Sequence, residues 1–368
     1  MTQSCKTPQR LLVQCLVAAS LFFGSQSIAV GQEVPHLRYS VRALGMGNAF
    51  IATANDEFSL YYNPAGLESV RHYSFEFFNV GGTINQNLID LGNASGTDST
   101  ALLGQITGNK IYFEGSLSAL SFTAPGWGWS LFTSGVMDGT IHNPVVPYVT
   151  TNAYVQAGGL FGLSMNFADA LLDIGVVLKQ INRAGIGTSL HIVDFLDPNL
   201  EQSLRDQMIS GAPQKSIDIG ATYHLEDSFM FQTKASAVLH NIGGLDFGST
   251  GQIPTTLDFG IASESEFFGV DVILAADLVD ATFKTTETKS IRRNINLGVE
   301  LGLLMRSNGH NMISYRMGMK GPYPTSGWTI NPPYIPIMID YAQWSEEIGS
   351  YAGSVRDRRQ TVQFAINF

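Results

Sequence analysis

From Ile295 to Leu303 two kinds of residue alternate without a fault. Ile295, Leu297, Val299, Leu301 and Leu303 fall on one face, and Asn296, Gly298, Glu300 and Gly302 on the other. A period of two is the signature of an extended strand with unlike faces, and a helix cannot use it. The pattern recurs. Ile217, Ile219, Ala221, Tyr223 and Leu225 oppose Asp218, Gly220, Thr222 and His224, and Phe268, Val270, Val272, Leu274 and Ala276 oppose Gly269, Asp271, Ile273 and Ala275. The chain closes on Val362, Phe364, Ile366 and Phe368, interleaved with Thr361, Gln363, Ala365 and Asn367. After the first thirty residues the longest apolar run, Leu171 to Leu178, is broken by Asp173 and Gly175. That is far short of the roughly 18 apolar residues of a spanning helix.

Alternation also describes a soluble sandwich, so the connections must separate the two. Strands read near 70–82, 111–123, 126–137, 152–166, 171–182, 214–225, 229–240, 254–264, 267–278, 291–304, 311–320, 325–330, 335–343 and 359–368. Short turns fall at Ala124-Pro125, Phe167 to Ala170, Glu226 to Ser228, Ser265-Glu266, Met305 to His310 and Asn331 to Tyr334. Longer connections fall at 83–110, 138–151, 183–213, 241–253, 279–290 and 344–358. Long and short therefore alternate almost without exception, as in a barrel with tight turns at one rim and loops at the other. The fold class expected is all-β, a transmembrane antiparallel barrel of about 14 strands; without the 325–330 segment and the break at Pro125 the count would be twelve. One long loop is expected to hold a helix, capped by Asp197, with Pro198 in its first turn and Leu200, Leu204 and Met208 on one face.

Composition fits a chain that meets lipid. Charged residues make up 14% of it, against roughly 25% in soluble domains, and a closed barrel is the one β architecture that satisfies every backbone amide inside a bilayer. Residues 1–31 read as a secretory leader: Lys6 and Arg10 precede the apolar stretch Leu11 to Phe23, and Ser27-Ile28-Ala29 or Ala29-Val30-Gly31 offers a cleavage site. Cys5 and Cys15, the chain's two cysteines, leave with it, so no disulfide or thiol chemistry is expected. The chain carries 21 basic and 31 acidic residues; without Lys6 and Arg10 the balance is 19 against 31, a net −12, which argues against nucleic acid as a partner.

No catalytic pattern emerges. There is no Gly-x-Ser-x-Gly, His-Glu-x-x-His or phosphate-binding loop, and the seven histidines are scattered, so neither an enzyme, a cofactor nor a metal is expected. The inward phase instead collects charge: Asp218, Asp258, Asp271, Asp277, Glu300 and Asp340, opposed by Lys234, Arg316 and Lys320. These are either a network that docks a luminal segment through Arg42 or solvated lumen residues paired for structural reasons.

Residues 40–67 read Ser-Val-Arg-Ala-Leu-Gly-Met-Gly-Asn-Ala-Phe-Ile-Ala-Thr-Ala-Asn-Asp-Glu-Phe-Ser-Leu-Tyr-Tyr-Asn-Pro-Ala-Gly-Leu. Gly45 and Gly47 allow close backbone approach, Asn55-Asp56 marks a turn, and one helical turn over Phe58 to Tyr62 must stop before Pro64. The segment resembles the N-terminal part of FadL-like outer-membrane proteins, in particular their PorV/PorQ-type branch. Looser likeness runs through Leu239-His240-Asn241-Ile242-Gly243, Ile253-Pro254-Thr255-Thr256 and Asn296-Leu297-Gly298-Val299-Glu300.

That resemblance implies a hatch over 32–69 inside a barrel over 70–368, held through Arg42, Gly45, Gly47, Asn63, Pro64, Ala65 and Gly66. It implies passive transport of hydrophobic small molecules across an outer membrane, with Phe195, Leu196, Tyr323 or Trp328 as capture surfaces and Trp127 and Trp129 as girdle residues on the short-turn side. It equally admits a PorV-like platform and shuttle for secreted proteins, or a structural envelope barrel. The terminal Phe364, Ile366 and Phe368 are similar to the signal read by barrel-assembly machinery.

Overall fold

The structure is a computed structural model. It describes residues 36–93 and 110–368, apart from 143–147, 226–230, 286–289, 306–310, 368 and the single positions 169, 192, 193, 195, 196, 198, 208, 334 and 350. The leader lies outside the described residues, as do Phe195, Leu196, Met208 and Phe368.

Fourteen strands form the wall: β1 (Ser74–Asn85), β2 (Lys110–Ala124), β3 (Trp127–His142), β4 (Tyr148–Phe167), β5 (Leu172–His191), β6 (Gln214–His224), β7 (Gln232–Ile242), β8 (Thr256–Phe267), β9 (Val270–Leu278), β10 (Ile295–Met305), β11 (Asn311–Lys320), β12 (Tyr323–Ile330), β13 (Ile337–Glu347) and β14 (Arg356–Asn367). Each pairs antiparallel with the next, and β14 pairs with β1, Val80 opposite Phe364 and Thr83 opposite Thr361. The ring has no free edge. A two-residue strand, Ile209–Ser210, adds to β5 at Ala184 and Gly185. Helices among the described residues are short: α1 (Val41–Gly45), α2 (Ser59–Tyr62), α3 (Gln86–Asn93), α4 (Leu200–Gln207) and α5 (Ile291–Asn294). In the long loop Asp197 Oδ1 accepts from the Asn199 amide at 2.8 Å, and Leu200 and Leu204 of α4 are half-buried.

All fourteen expected strands are present, and several boundaries move. The β8–β9 turn is Phe268-Gly269, not Ser265-Glu266, which belong to β8. Phe268 is therefore not a strand residue; it stands fully exposed at the tip with φ 51°. The turn placed at Ala124-Pro125 lies at Pro125-Gly126, with Gly126 at φ 84°. Pairing continues into the polar stretches of β4 and β5, each 20 residues long, so the connection expected over 138–151 shrinks to 143–147. About 9–11 residues suffice to cross a bilayer, and the surplus carries β3, β4 and β5 beyond the other strands on the long-loop side. One connection breaks the alternation: β11 and β12 meet there through Gly321-Pro322 alone.

Burial runs opposite to that of a water-soluble protein. Inward positions hold buried Glu76, Asp173, Lys179, Asp218, Asp258, Asp277, Glu300, Arg316, Asp340 and Arg359. Outward positions leave Leu131, Val155, Leu163, Leu178, Ile219, Ile261, Leu274, Leu297 and Phe364 exposed. An apolar exterior and a polar interior on one closed sheet are what a hydrocarbon solvent selects. Trp127 and Trp129 lie on the outer side beside the short turn, where Trp127 packs on Phe122 with 4.9 Å between ring centroids.

Candidate functional site: the plugged lumen

Residues 36–70 occupy the lumen and supply most of the apolar core, with Leu44, Met46, Phe50, Leu60 and Leu67 almost fully buried. Such a segment cannot form a strand of its own, because the wall offers no edge to pair with. It folds instead as a chain of turns. Ser40 caps α1 through its Oγ, which accepts from the Ala43 amide at 3.3 Å. Gly47 (φ 69°) and Asn48 (φ 63°) then reverse the chain in left-handed conformations. After α2, Asn63 is extended, and its Oδ1 accepts from Ala65 N at 3.0 Å, starting the 3₁₀ turn Pro64–Ser69.

Besides Gly260 of β8, which lies against Ile51 and Ala52, two facing pairs of wall glycines meet the plug where no side chain would fit. Gly175 and Gly220 face each other across β5 and β6, and a Cβ on either would run into Asn63, Pro64 or Ala65. Gly298 and Gly318 face each other across β10 and β11, and a Cβ there would strike the backbone of Met46 or Gly47. The two halves of the plug motif thus sit in two seats of bare backbone, which permits contact no side chain would allow. Gly45 lies against Gly327 of β12, and Gly66 against the Ala54 carbonyl.

Side chains complete the docking. Asn63 Nδ2 donates to Ile51 O at 2.8 Å and to Thr222 Oγ1 at 3.0 Å. Asp277 accepts from the backbone amides of Phe50 at 2.5 Å and Ile51 at 2.8 Å through one carboxylate oxygen. Arg42 donates through Nε to Glu300 at 2.8 Å and through Nη1 to Asn55 at 2.7 Å and Asp56 at 3.1 Å. Glu300 also accepts from Arg316 Nε at 3.1 Å, and Arg316 reaches Thr329 at 2.6 Å and Asp340 at 3.6 Å.

The lumen charges named from sequence therefore divide. Asp277, Glu300, Arg316 and Asp340 join the plug or its partners. Asp258 belongs to a separate group towards the long-loop rim, where His240 lies 2.8 Å from Asp218 and 3.5 Å from Asp258, and Lys179 lies 2.5 Å from Asp218. Asp271 lines a cavity below the plug together with Arg42, Asn55, Asp56 and Glu300, while the hydrogen bonds of Arg42 go to the last three of these. Two capture candidates are misplaced by the sequence reading. Tyr323 is no loop aromatic: it points inward at the start of β12, buried, and donates to Glu347 at 2.9 Å. Trp328 is on the outer wall, stacked on Tyr341 with ring centroids 5.7 Å apart.

Below the plug, on the short-turn side, opens a cavity of about 1240 Å³. Its roof is the plug, through Ser40, Arg42 and residues 55–58. Phe58, Val70, Phe231, Val272, Ile273 and Met338 interrupt its charged lining. Towards the long-loop rim two further cavities, of about 40 and 30 Å³, have room for little more than water.

Burial dominates the ionisation of the plug. It pushes the His36 imidazole down to about 3, with Lys320, His240 and Lys179 adding repulsion, so this ring is neutral where it lies near Tyr39 and Tyr62. Glu57 is driven the other way, well above the carboxylate range, first by burial and then by Glu76 and Asp56, with Arg38 opposing. Sequence reading missed Glu57, Arg38, Asn48 and the wall glycines; the available signal was an inward strand phase for the glycines and a place in the motif for Asn48 and Glu57, while Arg38, just before the motif, carried none. Among the described residues no group of three His, Cys, Asp or Glu side chains could hold a metal ion.

Several solved structures align with nearly the whole chain. The toluene transporter TodX of Pseudomonas putida does so at 11% identity over 91% of this chain and 99% of that one, with a TM-score of 0.48. The toluene transporter TbuX of Ralstonia pickettii aligns at 12% identity over 89% and 97%, TM-score 0.45, and a Pseudomonas aeruginosa FadL homologue at 10% over 92% and 98%, TM-score 0.46. No protein-family model and no curated protein matches the chain.

Proposed function

We propose that this chain is an outer-membrane barrel that passes small hydrophobic molecules passively, with residues 36–70 as its gate. One observation carries the reading: the plug blocks a lumen that otherwise opens below it into a cavity large enough for a small ligand. Apolar and charged side chains share that lining, so a greasy molecule could rest there before release. The resemblance of residues 40–67 to FadL-like proteins points the same way. In this reading the leader directs export, Phe364 and Ile366 on the outer face of β14 serve assembly, and the bilayer is the barrel's solvent.

The gate can be locked. A Cβ at Gly45 would stand 3.3 Å from the Cβ of Arg316 on β11, close to the separation a disulfide spans, so Gly45→Cys with Arg316→Cys would bridge plug and wall. Protein in liposomes should take up a hydrophobic fluorescent probe when the pair is reduced and stop when it is oxidised. Equal uptake in both states would remove the plug as gate, and wild-type uptake no faster than empty liposomes would remove transport. A PorV-like platform would instead retain secreted proteins on purification while the oxidised pair changed nothing.

A further inference from the structure

At the long-loop mouth a second device meets the start of the plug. The connection from β7 to β8, residues 243–255, folds back over the opening as a small hairpin, Leu245–Asp246 against Gln252–Ile253. Leu245, Phe247 and Ile253 are buried in one cluster with Leu37 of the plug and Ile181 and Val238 of the wall. This loop is therefore a lid with its own share of the core.

Arg183 of β5 holds it. The guanidinium lies between two rings, 4.1 Å from the Tyr154 centroid and 4.0 Å from that of Phe247. Nη1 donates to Thr250 O at 3.2 Å, while Nε and Nη2 donate to Gln156 Oε1 at 3.2 and 2.7 Å. Gln156, itself buried, donates through Nε2 to Leu37 O at 2.9 Å and to Ser134 Oγ at 3.0 Å. These partners of Arg183 are all neutral. A buried cation with neutral partners is costly where an apolar residue could fill the same space, so what the guanidinium adds is geometry. Its plane stacks on both rings while its edges address two acceptors, which an ammonium cannot do.

We infer that Arg183 is the positioning residue of a clasp that ties the mouth to the gate, so that lid 243–255 and the first turns of the plug open together. Lifting the lid takes Phe247 and Thr250 from Arg183. Arg183 is then free to leave Gln156, and Gln156 to release Leu37. Beyond Leu37 the plug stays in its glycine seats, so this clasp controls its first turns and not the whole segment. The inference rests on the plug being the gate, but its coupling can be measured without any transport assay.

Hydrogen–deuterium exchange on the full barrel in detergent tests it. Arg183→Ala should raise exchange about tenfold in both 243–255 and 37–45, the loss expected for contacts of this size. Residues 60–67, held by Asn63, should keep wild-type protection. Arg183→Lys should restore neither region, and Arg183→Met, which keeps the apolar stem, should behave as the alanine variant does. Faster exchange in the lid with 37–45 unchanged would overturn the coupling. So would rescue by lysine, or loss of protection throughout the wall. If exchange behaves as expected while liposomes show no uptake, the clasp stands and the transport reading falls.

Discussion

At the scale of single residues the plug motif is legible in part. Gly45, Gly47 and the Asn-Pro-Ala-Gly run announce close approach and a forced helix stop, which are local properties of the backbone. What they approach is set by register across the wall. Gly175 and Gly220 face each other only because β5 and β6 pair as they do, and neither looks unusual in its own strand. Burial chemistry is equally hidden, and Glu57 shows its consequence. Its carboxyl keeps its proton in the folded plug because burial and the neighbouring Glu76 and Asp56 raise it well above its ordinary value of about 4.5, Arg38 being the opposing charge. An unfolded chain releases that proton above about 4.5, so the contribution is whole below that pH and drains as pH rises. Glu57→Gln, a fixed mimic of the protonated form, should match wild type in thermal unfolding near pH 4. It should be increasingly the more stable of the two from pH 5 to 9. Parallel profiles for both proteins would show that Glu57 ionises freely in the plug.

Elements were legible wherever side chains alternate strongly, because one lipid-facing and one polar face leave a period that tolerates no slip. Strand ends were harder. In β4 and β5 the pattern fades into Thr, Asn and Gly above the membrane while pairing runs on from Thr151–Thr188 to Tyr148–His191. At the other rim the β8–β9 turn shows why a pattern can mislead. Phe268 continues the apolar alternation of Val270 and Val272, yet it occupies a left-handed position at φ 51° beside Gly269 at φ 77°. Both central residues have positive φ, which suits Asn-Gly and penalises a bulky residue by about 1–2 kcal/mol. Phe268→Asn should therefore stabilise the barrel by about 1 kcal/mol, read as a higher urea midpoint in refolding from detergent. An unchanged or lower midpoint would mean that this exposed ring contributes as much by lying in the membrane interface as the turn loses by holding it.

For the molecule as a whole, closure and the reversal of inside and outside are one fact. A ring of fourteen strands leaves no edge for water to satisfy, and a polar lumen needs an apolar exterior only if that exterior is not in water. Loop parity and alternation carried this much in the sequence; the lumen's contents depended on tertiary contacts between residues hundreds of positions apart, such as Arg42 with Glu300. The solvent outside can be tested at one position. Leu274 sits mid-strand on β9, outward and 43% exposed. On a soluble protein an arginine at so open a site would change stability by no more than about 0.5 kcal/mol. At the midplane of a bilayer the same side chain should cost about 2–4 kcal/mol. Leu274→Arg, refolded into vesicles and followed by intrinsic fluorescence, should show the larger loss. A loss within about 0.5 kcal/mol would mean that water meets the outer face of β9, and the membrane reading, with the transport built on it, would go.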